Sequence, residues 1–223
     1  MKLSENTIAI LENFVSINPS ILFREGNVIS TKSPLNTIAA IATVDESFDQ
    51  KFAVYDLKKF LSVISLFDDP ELELGEKQVV ISSGKQRIKY TYAEPEAIVV
   101  GPEPSAVPTF SNPMLQFTFT PQMMDSVLKA SAVLSNPEIA ITGDGTTMKV
   151  RSFDKKDPTS DTYQVEVGET DSVFNIIFAK EYLKMIPMTY QVSVYKTPKA
   201  ILAHFKADNI SYYVPVDSES KFN

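Results

Sequence analysis

The chain has 223 residues and a formal net charge of -7, from 21 Lys and Arg against 28 Asp and Glu. Hydrophobic residues make up 43% of it, which is typical of a globular protein and not of a disordered one. It contains no Cys and one His, which excludes disulfides, cysteine-ligated zinc, thiol catalysis and multi-histidine metal sites. The acidic balance argues against a domain that holds nucleic acid by charge neutralisation alone.

The first half predicts two helices among strands. A helix over residues 5–16 follows Ser4, whose hydroxyl suits an N-cap, and Asn18-Pro19 ends it. A second helix is predicted over 56–67 from apolar residues at helical spacing. Strands are predicted at 21–23, 28–31, 37–44, 72–74, 78–82 and 87–92.

A proline-rich segment divides the chain. Residues 94–114 contain five prolines and Gly101 with few charges, a composition that favours an extended, semi-rigid connector. The interpretation is an N-terminal domain over 1–93 and a C-terminal domain over 115–223.

The second half repeats the order of the first. A helix over 122–134 is predicted after Thr120-Pro121, and another over 179–186. Strands are predicted at 139–142, 147–153, 162–167, 173–178, 190–195, 200–206 and 210–216. Phe52–Leu61 is echoed by Phe174–Leu183, which indicates a duplication. The expected fold class is α+β, with two similar domains that each pack two helices on antiparallel sheets.

The outward faces of the predicted helices differ in charge from the rest of the chain. The helices together carry no net charge, so the strands and loops hold the acidic excess. In the first helix we expect Ile8, Leu11 and Val15 to be buried, and Glu5 and Glu12 to be exposed. Two interpretations stay open, an ordinary solvated surface and a set of helices turned toward a polyanion.

Known catalytic motifs are absent from the sequence. There is no phosphate-binding Gly-x-x-x-x-Gly-Lys-Ser/Thr loop, no Gly-x-Gly-x-x-Gly and no Gly-x-Ser-x-Gly. The single histidine, His204, lies in a strand pattern with no partner constellation, and the acidic runs lie in turn-like segments. The expectation is a protein that is not an enzyme and needs no cofactor. No stretch approaches about 18 apolar residues, and the start turns polar too early for a signal peptide.

Several short segments together resemble a known family. They are Met1-Lys2-Leu3-Ser4, Thr7–Phe14, Ile17-Asn18, Val54–Leu57 with Phe60-Leu61, Ser65-Leu66 and Tyr213-Val214. These segments, with the length and the connector, resemble the sliding clamps of T-even-type bacteriophages over essentially the whole chain.

The resemblance implies a DNA polymerase processivity factor. In that family three two-domain subunits close head-to-tail into a ring, and duplex DNA passes through the hole. An ATP-driven clamp loader opens the ring, a C-terminal peptide of the polymerase docks on it, and the loaded clamp supports late transcription. The expected place of action is the cytoplasm of the infected bacterial host.

The resemblance also assigns candidate residues. Lysines expected to face DNA are Lys58, Lys59, Lys129, Lys180 and Lys184, with Lys2 as a further candidate. The subunit interface is expected at segments 87–92 and 162–167, with Arg87, Ile88, Lys89, Tyr90, Tyr92, Thr162, Tyr163, Val165 and Val167. The pocket for a partner peptide is expected at Val99, Val100, Val107, Pro108, Phe110, Tyr213, Val214 and Pro215, although these residues could instead only pin the connector. Glu5 and Glu12 depart from the resemblance, because the helices that line the hole in this family usually present a basic surface.

Two other functions fit parts of the sequence. A structural ring or tube component of a phage particle would share the acidity, the strands and the repeat, but would not need lysine-bearing helices. An enzyme subunit with catalytic carboxylates would show hydrolase or nuclease activity.

Overall fold

A computed structural model describes residues 1–106, 110–198 and 200–222. It divides into two compact units. The first comprises residues 1–108 with 208–211, and the second comprises 109–207 with 212–223. None of the described helices has the length and apolar content that a membrane span requires.

The first unit contains two helices, α1 (Glu5–Ile17) and α2 (Leu57–Ile64). Its strands are β1 (Ile21–Phe23), β2 (Gly26–Lys32), β3 (Ala39–Phe48), β4 (Phe52–Val54), β5 (Glu71–Leu74), β6 (Gln78–Ser83) and β7 (Gln86–Thr91). β1 pairs with β4, β2 pairs with β3, and β5, β6 and β7 form a three-stranded antiparallel sheet in that order.

Aromatic residues fill the core of the first unit. The ring centroid of Phe23 lies 4.6 Å from that of Phe52 and 4.8 Å from that of Phe48. Phe60 of α2 reaches this cluster and lies 5.1 Å from Tyr90 of β7, which connects the helix to the outer sheet. Aromatic pairs at these separations add about 0.5–1.5 kcal/mol beyond the burial of their surface.

The second unit has one α-helix, α3 (Pro121–Leu134). Its strands are β8 (Leu115–Phe119), β9 (Glu138–Asp144), β10 (Thr147–Phe153), β11 (Tyr163–Glu169), β12 (Val173–Ala179), β13 (Tyr190–Lys196), β14 (Ile201–Lys206), β15 (Ile210–Pro215) and β16 (Lys221–Phe222). The first sheet has the order β11-β10-β9-β12-β16, and β15, β14, β13 and β8 are neighbours in the second. The α+β class is confirmed, and the predicted strands occur in the predicted order, but β4, β8 and β16 were not predicted.

The predicted helix over 179–186 is wrong. The structure has only a single 3-10 turn there, Lys180–Tyr182, followed by irregular backbone at Leu183. Strand β12 extends through Ala179, and Pro187 disfavours helical backbone in the residue before it, so too few residues remain for a helix. Lys180 and Lys184 therefore do not share a helix face.

The first part of the connector is bound to the body of the first unit. Asn18 Nδ2 donates to the Val99 carbonyl at 2.8 Å, and Arg24 Nη2 donates to the Gly101 carbonyl at 2.9 Å. Arg24 also pairs with Glu103 at 2.9 Å. A Cβ on Gly101 would lie 2.6 Å from the backbone of Ser30, so only glycine fits this approach. The segment around Gly101 is therefore fixed to the first unit.

Candidate nucleic-acid interface and docking surfaces

The helices begin at side-chain caps. The Thr7 N–H donates to Ser4 Oγ at 3.2 Å, the Lys59 N–H to Asp56 Oδ1 at 2.8 Å, and the Met123 N–H to Thr120 Oγ1 at 3.3 Å. These bonds satisfy backbone donors that a helix start leaves open. Each helix therefore has a defined start and a fixed outward face.

The outward face of α1 is acidic. Its core face carries Ile10, Leu11 and Phe14, each at most 2% exposed. Ile8 and Val15 are only half-buried, because they flank this core face, so the expectation that they are buried is corrected. Glu5 and Glu12 are exposed as predicted. This face would repel a polyanion.

The outward face of α2 is basic. Leu57, Phe60, Leu61 and Ile64 are buried against the unit. Lys58 and Lys59 are exposed, and no carboxylate of the described residues lies within 4.0 Å of either ammonium group. Both charges are therefore available to phosphates.

A groove of about 390 Å³ separates the outward parts of α1 and α2. Ile8, Val15 and Leu61 supply apolar lining, while Glu12 and Lys58 both line the groove without forming an ion pair. The side chain of Glu12 therefore borders the same groove as Lys58.

Two of the other predicted lysines form exposed ion pairs with neighbouring carboxylates. Lys129 Nζ lies 2.8 Å from Asp125 Oδ2, one turn back on α3, and Lys2 forms an ion pair with Asp69. The hydrogen bond from Lys2 to Asp69 raises the pKa of Lys2. Lys180 is half-buried in its 3-10 turn and Lys184 is exposed. The six predicted lysines are therefore unequal, and Lys58 and Lys59 are the strongest candidates.

The predicted interface strands are sheet edges. Among the described residues β7 pairs only with β6, and β11 pairs only with β10. Ile88 and Tyr90 of β7 are half-buried, as are Tyr163, Val165 and Val167 of β11. Thr162 and Tyr92 lie just outside the two strands. Burial raises the pKa of Tyr90, whose hydroxyl donates to the Asp56 carbonyl, and burial also raises the pKa of Tyr92.

The two edges carry opposite charges. Arg87 and Lys89 are exposed on β7, and Glu166 and Glu169 are exposed on β11. Lys149 of the neighbouring strand lies 3.4 Å from Glu166 and offsets part of its charge. Sequence reasoning missed these glutamates, although the alternation of Glu166 with Val165 and Val167 was a readable signal.

In the second unit, part of the predicted docking pocket is built from stacked aromatic rings. Phe110 stacks on Tyr195 with ring centroids 5.0 Å apart, and Tyr213 stacks on His204 at 4.6 Å. Burial, and then the nearby Lys206, lower the pKa of His204, and its buried Nε2 has no hydrogen-bond partner within the described chain. Burial raises the pKa of Tyr213. Sequence reasoning missed Tyr195 and did not assign His204 to this surface.

The remaining predicted pocket residues lie in different surroundings. Val99 and Val100 are half-buried in the first unit and Pro215 is half-buried in the second. Val214 is fully buried, so it belongs to the core, because alternate residues of β15 face opposite sides of the sheet. Val107 and Pro108 lie outside the described residues. No group of three or more His, Asp or Glu side chains in the described parts of the chain could hold a metal ion.

Comparisons with known proteins agree on one family. Residues 2–100 match the family model for DNA polymerase processivity factors, and residues 117–218 match the model for the C-terminal part of the gp45 sliding clamp. The chain is 31% identical to the sliding clamp of Vibrio phage KVP40, over 98% of this chain and all of that one. It is 29% identical to the sliding clamp of Enterobacteria phage T4, over 99% of this chain and 98% of that one.

A solved structure shows the same fold. It is the A. fulgidus PCNA with the C-terminal region of FEN-1 bound, which aligns with a TM-score of 0.67 at 14% identity over 99% of this chain and 98% of that chain. The alternative of a structural phage component finds no support in these matches. The chain belongs to the sliding clamps, the DNA polymerase processivity factors.

Proposed function

We propose that three copies of this chain close head-to-tail into a ring that encircles duplex DNA and tethers a replicative polymerase. The observation that carries the proposal is the pair of open edges, β7 and β11, within a chain of the sliding clamp family. An open edge is a template for strand addition, and two different edges make a heterologous contact, which closes into a ring when the rotation permits.

Charge complementarity supports a second copy as the partner of each edge. Arg87 and Lys89 on β7 would face Glu166 and Glu169 on β11 of the next subunit. Opposite charges on the two edges favour this pairing, whereas β7 against β7 or β11 against β11 would place like charges together. The subunit number of three follows the resemblance to T-even-type phage clamps.

A ring also accounts for the acidic composition. Because a closed ring holds DNA by topology, tight contacts are unnecessary and would slow sliding. A few lysines that make weak, sequence-independent phosphate contacts suffice, and Lys58 and Lys59 are the foremost candidates.

The chain itself has no catalytic role in this proposal and no cofactor. The clamp loader supplies the ATP hydrolysis, late-transcription factors share the docking surface, and the site of action is the cytoplasm of the infected host.

The test of the proposal is the solution mass by light scattering across a range of protein concentrations. A closed ring gives one species of about three times 24.8 kDa that does not grow further at high concentration. An open chain of head-to-tail contacts would keep growing with concentration. A monomer at every concentration would contradict the ring.

A polymerase C-terminal peptide is expected to dock beside the two aromatic stacks. Phe110→Ala or Tyr213→Ala removes a ring from the surface that would receive hydrophobic anchors, so each should raise the Kd at least about tenfold. The measurement is fluorescence anisotropy of a labelled peptide. Tyr55→Ala, at a tyrosine 65% exposed in the first unit, is the matched control. Unchanged affinity in both variants would mean that these rings only hold the connector.

A further inference from the structure

In the sheet that carries β7, residues from the start of the chain already occupy the opposite edge. The Met1 backbone nitrogen donates to the Leu72 carbonyl at 2.8 Å, and the Leu72 N–H donates to the Met1 carbonyl at 2.7 Å. This reciprocal exchange is the bonding of an antiparallel pair. At Leu72, β5 therefore offers no free backbone groups to another copy.

In the sheet that carries β11, the opposite edge strand of the main ladder is β12, and residues 217–222 cover it. We call these residues the tail. β16 pairs with β12 at Phe174 and Asn175. Further along, the Ile177 N–H donates to Ser220 Oγ at 2.9 Å, and the Asp217 N–H donates to the Ile177 carbonyl at 2.8 Å.

A charged contact holds the tail in place. Lys155 Nζ, in the loop between β10 and β11, donates to Asp217 Oδ2 at 2.6 Å and to Glu219 Oε1 at 3.4 Å. The side chains of Lys155 and Asp217 are 24% and 23% exposed, so this pair is less screened by solvent than a pair on the open surface. Burial alone would raise the pKa of Asp217, but the bonds from Lys155 and from the Glu219 N–H lower it.

The strand beneath the tail is the most apolar edge candidate in the second unit. β12 reads Val-Phe-Asn-Ile-Ile-Phe-Ala, and Val173 at its start is 44% exposed. A segment of this composition with free backbone groups pairs readily with another chain.

We propose that the tail is an intramolecular guard strand that seals β12 against a second copy and thereby keeps this apolar strand out of the pairing between subunits. The proposal rests on the proposed ring, in which β7 and β11 are the strands that pair between subunits. A free β12 would offer an apolar strand outside that pairing, through which rings could join or chains branch.

The experiment releases the tail in the full-length chain. A mild variant combines Lys155→Ala with Ser220→Ala, and a stronger one replaces residues 217–222 with alternating Gly and Ser. We expect the average mass by light scattering to rise above that of the unmodified chain and to keep rising with concentration. If both variants keep the unmodified mass at every concentration, the guard role is wrong.

A disulfide lock supplies the matched control, since the chain contains no Cys. Asn175 and Lys221 are directly paired across β12 and β16, so Asn175→Cys with Lys221→Cys places two thiols within reach of each other. Added to the mild variant, the oxidised lock should restore the unmodified mass, and reduction should abolish this effect. Heavy species that persist in the oxidised form would contradict the proposal.

A second combination of substitutions distinguishes failure of the guard role from failure of the proposed ring. Lys89→Pro is added to the mild variant to block β7. Species that form through β12 should then persist, and species that form only through β7 should disappear. If the unmodified chain is a monomer, the ring fails, but release of the tail should still cause self-association if the guard role is correct.

Discussion

Lys89→Pro is expected to convert the assembly into monomers without unfolding the chain. β6 and β7 are joined by the two-residue turn Gly84-Lys85, with Ser83 opposite Gln86. In such a hairpin the closing pair is hydrogen-bonded and pairs alternate from there. Ile88 therefore bonds toward β6, whereas Arg87 and Lys89 direct their backbone groups outward. Proline at position 89 removes an outward donor and leaves the ladder to β6 in place.

The size of this effect follows from the missing hydrogen bond and the group left unpaired. A buried carbonyl without its donor costs about 1–3 kcal/mol, which is about one to two powers of ten in the dissociation constant of each interface. The clash of the proline ring with the incoming strand adds to this. Light scattering should then give 24.8 kDa at concentrations at which the unmodified chain is assembled.

Two further variants distinguish the loss of the backbone hydrogen bond from the loss of the Lys89 charge and from unfolding. Lys89→Ala keeps the N–H and removes only the ammonium group, so it should remain assembled and lose stability mainly at low salt. Ile88→Pro breaks the ladder to β6 and serves as the unfolding reference in circular dichroism. Persistent trimers in Lys89→Pro with a native spectrum would exclude β7 as an interface strand.

The sequence was sufficient for the elements with strong local signals. Ser4 and Thr120 cap their helices as predicted, and the strands 21–23 and 147–153 have the predicted bounds because apolar periodicity and turn residues agree there. The helix predicted over 56–67 is shorter, since Asp56 caps it and it ends at Ile64. The strand Leu115–Phe119 alternates apolar and polar residues and could have been predicted. The two-residue strand Lys221–Phe222 has no local signal, because pairing with β12 alone defines it.

The candidate site was less predictable, because its electrostatics depend on tertiary contacts. The pair of Lys129 with Asp125 follows from their spacing of one helical turn. The pair of Lys2 with Asp69 joins residues 67 positions apart, and no sequence pattern indicates it. The apolar spacing around Leu183 led to the wrong prediction of a helix over 179–186. Leu183 and Met185 are buried because irregular backbone packs there, and not because they lie on a helix face.

Replacing both free lysines of α2 is expected to weaken DNA binding more than any change at Lys129. Lys58 and Lys59 are exposed and form no ion pair with any other described residue, so each can neutralise a phosphate directly. The log–log dependence of DNA affinity on salt should become shallower by about 0.9 for each phosphate that Lys58→Ala/Lys59→Ala leaves without its lysine. Fluorescence anisotropy with duplex DNA over a series of salt concentrations measures this slope. Lys51→Ala/Lys77→Ala removes the same charge from exposed lysines of the same unit that lie off the helices, and should leave the slope nearly unchanged.

Replacing Asp125 on α3 is expected to have the opposite effect, an increase in DNA affinity. Lys129 is held 2.8 Å from its carboxylate, and an exposed pair of this kind contributes at most about 1 kcal/mol, so the carboxylate competes with phosphate without trapping the lysine. Asp125→Asn removes the competitor and should steepen the salt slope and tighten binding. If Asp125→Asn has no effect while Lys58→Ala/Lys59→Ala does, α3 does not face DNA. If neither change moves the slope, the lysines of the helices are ordinary solvated residues and the DNA-facing surface lies elsewhere.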